Sequence, residues 1–139
     1  MNFTIESDVD LGGFIDFVVE NFKNLFVENI DNRELIRWDN YLQTPNFQWR
    51  KRGKKPIIPS ARQILLGGIE TLSYGAENNV YIIEISNKDK VPNTDYRYET
   101  LFNLINYGNL DCAAYPIFEE TKKKILNNFE EIYNAYIGR

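Results

Sequence analysis

Few residues of this chain are of the types that perform catalysis. There is no histidine and only one cysteine, Cys112, which excludes imidazole acid–base catalysis, imidazole metal ligands and paired-thiol chemistry. Adjacent carboxylates, which can act as general acid and base, occur as Glu119-Glu120 and Glu130-Glu131. Each pair falls in a predicted helix, where neighbours in sequence point in different directions, so these side chains are predicted to lie on solvated faces.

The glycine patterns that bind nucleotides are also missing. The chain contains no G-x-x-x-x-G-K-[ST] sequence, and neither of its Gly-Gly pairs lies in a G-x-G-x-x-G context. Cys112 has no histidine to activate it as a nucleophile, so we expect a small side chain buried in a tight loop. We therefore predict a protein that is not an enzyme, with no catalytic residue, no metal ligand and no cofactor.

The most distinctive chemical feature is the run of positive charge RKRGKK at residues 50–55. It supplies five of the sixteen basic residues in a chain of net charge −4, so the remainder is strongly acidic. The run lies in a stretch rich in proline and glycine, which predicts an extended loop at about 44–60. Aromatic side chains just before the charges add apolar anchor material. The residues predicted to contact a subunit or partner are Phe47, Trp49, Arg50, Lys51, Arg52, Lys54 and Lys55.

Three interpretations of this run remain open on the residues alone. It can be a solvated loop, a contact with an acidic neighbouring subunit, or a contact with nucleic-acid phosphate. Five cations suffice for a salt-sensitive phosphate contact, although the acidic remainder of the chain would repel DNA elsewhere. The nine tyrosines exceed what one modest core needs; most are predicted to be half-buried, and the excess fits a subunit that assembles with others.

The elements that position these residues begin with two predicted helices. From Asp10 to Ile30 apolar residues recur at helical spacing, and Asp10 is of a type that caps helices. Asp31 and Glu34 form a capping signal before a second, short helix over 35–42.

A change of pattern at Arg62 predicts a small sheet. Residues 62–74 and 78–86 are rich in β-branched and aromatic side chains and predict two antiparallel strands joined by a turn. Gly67-Gly68 is predicted to mark a bulge or a close approach of neighbouring backbone. Because two strands alone are marginally stable, either another segment, such as 109–115, adds a strand or the sheets of neighbouring copies join.

Two further helices complete the predicted fold. Thr94 is predicted to cap a helix that ends at Gly108, and Pro116 to begin a long C-terminal helix that ends at Gly138. The turn between them is predicted to use Gly108, Ala113, Ala114 and Pro116. The order of elements predicts an α+β fold, with the N-terminal amphipathic helix, the short helix and the long C-terminal helix packed on a small antiparallel sheet.

Length and composition bound the remaining properties. The 139 residues are predicted to form a single domain with a basic loop at about 44–60. The lone cysteine suits a reducing compartment, and no apolar run is long enough to span a bilayer. We therefore expect a soluble protein that is made in the cytoplasm and does not contact a membrane.

From Pro56 onwards, three short motifs follow one another: Pro59-Ser60-Ala61-Arg62, Asn106-Tyr107-Gly108 and Ala113-Ala114-Tyr115-Pro116-Ile117-Phe118. Their order resembles that of the small tail-completion, or neck, proteins of long-tailed bacteriophages. Members of that family show a proline–Thr-Gly–Leu-Arg loop, an aromatic or acidic residue before a glycine, and small residues with a proline before the last helix. The chain departs from that pattern at Ser60-Ala61, at Asn109 after the glycine, and in lacking an acidic residue before it.

The resemblance implies a structural virion protein that forms a ring, commonly of six copies, at the head–tail junction. Its implied partners are further copies of itself, the portal or connector protein, and tail-tube or tail-terminator proteins, with packaged DNA nearby. The protein would be assembled in the cytoplasm of the bacterial host and reside in the virion. The basic loop would then meet an acidic surface on an adjacent subunit or partner.

Two other classes of function remain open. One is a small acidic binding protein, similar to immunity proteins or antitoxin-like inhibitors, whose acidic N-terminal half covers a basic active site. The other is a nucleic-acid-binding module that works through the basic loop and Trp49.

Overall fold

The computed structural model describes residues 1–7, 10–30, 32–43 and 58–138, so most of the predicted basic loop lies outside the described residues. Helices and strands alternate irregularly along these ranges, and the predicted α+β class is confirmed. The elements are β1 (Asn2–Glu6), α1 (Gly12–Asn29), α2 (Asn32–Leu42), α3 (Ala61–Glu70), β2 (Ser73–Glu77), β3 (Val80–Glu84), α4 (Tyr98–Tyr107), α5 (Ile117–Asn127) and α6 (Phe129–Ile137).

The sheet has three antiparallel strands in the order β1-β3-β2. β2 and β3 are joined by Asn78 and Asn79, whose positive φ angles of 52° and 63° suit the two-residue hairpin turn that matches the twist of the strands. The third strand is β1, which the sequence analysis did not predict. Residues 109–115, considered above as a possible strand, form none.

The prediction of a strand over 62–74 was wrong for most of its length, because residues 61–70 form α3. Ser60 caps this helix reciprocally: its hydroxyl accepts the N–H of Gln63 at 3.2 Å, and the Gln63 side chain accepts the N–H of Ser60 at 3.0 Å. The close approach predicted at Gly67-Gly68 is made by aromatic rings of α4 and not by strand backbone. Packing of the helix therefore offsets the low helix propensity of two glycines.

Helix α1 lies at the centre of the hydrophobic core. Phe22 of α1 stacks on Phe3 of β1, with ring centroids 5.4 Å apart, and contacts Phe118 of α5 at 4.9 Å. All three side chains are buried, and burying a phenylalanine side chain contributes about 1.5–3 kcal/mol. The sheet and α5 are thus held to one helix by a single aromatic cluster.

The C-terminal half corrects two predicted boundaries. Thr94 does not cap α4, whose N-cap is Arg97; instead the buried Thr94 hydroxyl donates to the Val91 carbonyl at 2.9 Å in the preceding turn. The predicted long C-terminal helix is divided at Asn128 into α5 and α6. Three aromatic side chains of α6 pack around Phe14 of α1, with ring centroids 5.2–5.5 Å away.

Candidate interaction surfaces

The groups considered for catalysis are one buried thiol and two exposed pairs of carboxylates. The Cys112 thiol is buried; loss of solvent raises its pKa above the ordinary value of 9.0, against the lowering effect of the Arg37 guanidinium. It is therefore protonated at neutral pH and a weak nucleophile. The two predicted carboxylate pairs are exposed on α5 and α6. No group of acidic or cysteine side chains in the described ranges could hold a metal ion, and none of the described helices has the length and apolar character to cross a membrane.

The predicted turn residues come together between α4 and α5. Gly108 ends α4 with φ of 74°, and a Cβ on it would stand 2.4 Å from the backbone nitrogen of Ala114, so only glycine fits there. The carbonyl of Ala113 accepts a hydrogen bond from the indole N–H of Trp38 at 3.0 Å. Pro116 precedes α5 at the N-cap position and not at the first helical position.

Asn106 fixes the two helices on either side of this turn. Its side chain is buried; the carbonyl oxygen accepts the N–H of Phe118 at 2.9 Å, and the amide nitrogen donates to the carbonyl of Phe102 at 2.8 Å. The first turn of α5 is thereby capped by α4. The turn is thus held by hydrogen bonds with Trp38 on one side and with Asn106 on the other.

An apolar groove, here called the α4 groove, lies on the outer side of α4. It has a volume of about 420 Å³ and is lined by Tyr96, Thr100, Leu101, Asn103, Leu104 and Tyr107. Tyr107 is 71% exposed, and Leu110, three residues further on, is wholly exposed. An exposed apolar groove of this kind is typical of a contact surface.

The hydrogen-bond pattern of the sheet shows which backbone groups remain open. Ser7 donates its N–H to the carbonyl of Asn79 at 3.1 Å, and Ile85 donates its N–H to the carbonyl of Met1 at 3.3 Å. Both bonds join residues directly opposite each other in the β1–β3 register. Because bonded pairs alternate along an antiparallel ladder, the odd-numbered residues of β3 bond to β1 and the even-numbered ones to β2.

Among the described residues, the edge of β2 is consequently open at two positions. Tyr74 and Ala76 lie opposite Ile83 and Tyr81, the odd-numbered residues of β3 that bond to β1. The N–H and C=O groups of Tyr74 and Ala76 therefore point away from β3, to the edge of the sheet. Such an edge is able to accept a further strand.

Beside this edge lies a cleft between α1 and β2, here called the α1–β2 cleft, with a volume of about 560 Å³. Asp16 and Glu20, one helical turn apart on α1, place two carboxylates in it. Lys23 also lines the cleft, but its ammonium group donates to the carbonyl of Glu70 at the end of α3, at 3.1 Å. The remaining lining residues are Val19, Leu72, Ser73 and Tyr74.

Two tyrosines of the sheet contact the start of α1 beside the α1–β2 cleft. The Tyr74 hydroxyl donates to the carbonyl of Gly12 at 3.0 Å, and its pKa is raised by loss of solvent and by the Asp16 carboxylate. Asp10 accepts the N–H of Gly12 at 2.9 Å and the hydroxyl of Tyr81 at 3.1 Å, and these donors lower its pKa. Asp10 thus stabilises the first turn from one position before the N-cap, and it stays ionised there.

The predicted contact residues, Phe47, Trp49, Arg50, Lys51, Arg52, Lys54 and Lys55, lie outside the described residues. The prediction that most tyrosines are half-buried is confirmed: the exposed ones are Tyr96, Tyr107 and Tyr133. Sequence reasoning missed the α4 groove and the open edge of β2. The apolar residues Tyr107 and Leu110, which follow the last buried residue of α4, were a sequence signal for an exposed apolar surface there. The open edge of β2 depends on strand pairing that the sequence does not show.

No protein-family model matches this chain, and no curated protein or solved structure is significantly similar to it.

Proposed function

We propose that this chain is a structural subunit of the head–tail junction of a long-tailed bacteriophage, where its copies form a ring between the head connector and the tail. The observation that carries the proposal is the exposed apolar surface of α4. The α4 groove, which the exposed Tyr107 lines, is a surface that a neighbouring protein would bury, and Leu110 adds a wholly exposed apolar side chain three residues further along the chain. Tyrosine is well suited to such contacts because it combines a large apolar ring with a polar tip.

The distribution of charge supports a ring in which two different surfaces of neighbouring copies meet. A ring requires two different, complementary patches on each copy, since every subunit contacts its neighbours head to tail. The chain offers a run of five cations at 50–55 and an acidic remainder, which includes the carboxylates of the α1–β2 cleft. Opposite charges on the two patches would set the order and register of subunits.

In this proposal the protein acts by contact and not by catalysis. The buried, protonated Cys112 and the solvated carboxylates of α5 and α6 are consistent with that role. The motif order from Pro56 onwards, described above, favours the phage neck over other assemblies. The ring, commonly of six copies in that family, would bind the connector on one side and tail proteins on the other.

The experiment that tests the proposal measures assembly directly. Native mass spectrometry of the purified chain, alone and with the connector and tail proteins encoded by neighbouring genes, should detect closed rings and their complexes. Tyr107→Ser combined with Leu110→Ser should lower the assembled fraction while leaving the monomer folded, because both side chains are exposed. Ile137→Ser, which removes an exposed apolar side chain of α6, is the matched control.

Three results would overturn the proposal. A chain that stays monomeric and binds neither connector nor tail proteins is not a neck subunit. Tight one-to-one binding to a basic toxin, without self-assembly, would identify an acidic inhibitor. Affinity for DNA that falls steeply with added salt and vanishes when the basic run is neutralised would identify a nucleic-acid-binding module.

A further inference from the structure

We propose that the open edge of β2 receives residues 47–52 of a second copy as an added strand, seated beside the α1–β2 cleft. The inference rests on the proposed function, because it names the surface through which copies would associate. Its three supports are the free backbone groups of the edge, the charge of the cleft, and the space beside Gly75.

The edge of β2 offers backbone hydrogen bonds at a matching length. The outward N–H and C=O groups of Tyr74 and Ala76 can pair with an incoming strand, as in β-strand addition. β2 spans five residues, and the sequence FQWRKR at 47–52 supplies six without a proline or glycine to interrupt pairing. The prolines and the glycine of this stretch fall on either side of that run.

The charges of the occupant match those of the cleft in sign and spacing. Asp16 and Glu20 are separated by one turn of α1, about 6 Å along the helix axis. In an added strand, Arg50 and Arg52 would point to one face and lie about 6.6 Å apart. Guanidinium groups pair well with carboxylates at this spacing, and the carbonyl of Glu70 already engages Lys23, the cation of the cleft.

The other face of the added strand would carry Phe47 and Trp49. On the matching, outer face of β2 stands Gly75, where a Cβ would meet no atom within 4 Å. Its neighbour across the sheet is Ile82 of β3, whose side chain is 42% exposed. An aromatic ring laid over a strand glycine covers the bare backbone, and here it would also cover the exposed isoleucine.

A binding assay with a synthetic peptide tests this inference. The probe is a labelled peptide of residues 44–57, and the receptor is the full chain carrying Arg50→Gln, Lys51→Gln and Arg52→Gln, so that its own segment competes poorly. Fluorescence anisotropy measures the affinity. Ala76→Pro blocks the edge but keeps the β2–β3 bonds, because the N–H of Ala76 faces outward. Asp16→Asn with Glu20→Gln removes the charges of the cleft and leaves the edge intact.

Each variant has a matched control. Thr4→Pro lies on the opposite edge of the sheet, at a residue of β1 whose N–H also faces outward by the same pairing rule. Glu130→Gln with Glu131→Gln removes two exposed charges from α6. Circular dichroism and thermal melting identify any variant that has unfolded. If Ala76→Pro unfolds, the comparison of the cleft variant with its α6 control tests the inference.

We expect the edge variant and the cleft variant each to bind the peptide at least about tenfold more weakly, and the controls to bind it as the receptor does. Absence of peptide binding to the receptor would overturn the inference, as would equal losses in variants and controls. Failure here is distinguishable from failure of the proposed function. Rings that form without this contact would contradict the strand-addition inference but support the neck proposal. Peptide binding by a chain that joins no phage component would support the strand-addition inference but contradict the neck proposal.

Discussion

The ring of Phe102 in α4 lies directly over Gly68 in α3. A Cβ on Gly68 would stand 2.4 Å from Cδ2 of that ring, closer than real Cβ contacts allow. Both residues are buried, so the ring cannot swing into solvent to make room. The glycine therefore sets the distance between two helices, which explains its presence in the interior of a helix, where it is otherwise unfavourable.

Gly68→Ala should destabilise the protein by about 1–3 kcal/mol, because overpacking of the α3–α4 contact exceeds the gain in helix propensity. Urea denaturation measures the change in the free energy of unfolding. Gly75→Ala is the matched control in β2, where the added methyl group meets nothing; it should be neutral or stabilising by up to about 1 kcal/mol. Equal stability of Gly68→Ala and the unmodified chain would show that α4 can move away from α3.

Asn106→Ala should cost about 1–3 kcal/mol of stability. The substitution leaves the buried N–H of Phe118 without its acceptor and removes the bond to the carbonyl of Phe102. Thermal melting followed by circular dichroism measures the loss. Asn24→Ala, at an exposed position of α1, should change stability by no more than about 0.5 kcal/mol. A similar small effect at Asn106 would mean that the cap of α5 does not depend on its side chain.

Asp10 should make stability depend on pH in the acidic range. Because the N–H of Gly12 and the Tyr81 hydroxyl lower its pKa from the ordinary 3.8, folding favours the ionised form. That stabilisation is complete above the ordinary pKa and is lost as pH falls through the lowered one. The stability difference between the unmodified chain and Asp10→Asn should therefore be largest at neutral pH and disappear on acidification.

Urea denaturation across the acidic range checks this dependence. The control is Asp95→Asn, which removes an exposed carboxylate elsewhere in the chain. Tyr81→Phe, which removes one donor to Asp10, should move the pKa of Asp10 back toward its ordinary value, as read by NMR of the side-chain carboxyl. A difference between Asp10→Asn and the unmodified chain that grows on acidification would reverse the predicted sign.

Reversing the charge of the basic run should prevent assembly without unfolding the monomer. Arg50→Glu, Lys51→Glu and Arg52→Glu together would repel the acidic surface that the run is proposed to meet. Native mass spectrometry should then find only monomer. The triple variant Lys88→Glu, Lys90→Glu and Lys123→Glu changes net charge equally at exposed positions and should still assemble. Rings that form regardless of the first substitution would exclude the run from the interface.

Particular residues show how far the sequence predicts this fold. Helical spacing of apolar residues located α1, which buries one face in the core. The Asp31–Glu34 capping signal located α2, and the glycine stop at Gly108 located the end of α4. The error at α3 arose because its β-branched residues and paired glycines favour a strand. The Ser60–Gln63 capping box and the packing of α4 rings against the glycines stabilise a helix instead. The alternation of the buried Phe3 and Ile5 with exposed neighbours is a signal in the sequence for β1, which was not predicted.

The candidate surfaces were less accessible to prediction. The basic run is visible in the sequence because charge needs no folding to be counted. The open edge of β2 is not, because it depends on β1 taking the other side of β3, a pairing between distant parts of the chain. The α1–β2 cleft that Asp16 and Glu20 line likewise exists only once β2 lies beside α1.

The central position of β3 also has a consequence for how the protein is made. Phe3 and Ile5 pair with Ile83 and Tyr81, so β1 leaves the ribosome long before its partner strand and must wait for β3 to follow. Until then its apolar side chains have no sheet to join, and closing so long a loop carries an entropic cost before any ladder bond forms. The β2–β3 hairpin is joined by only two residues and is therefore expected to form first during synthesis. β1 is then expected to pair with the free edge of β3.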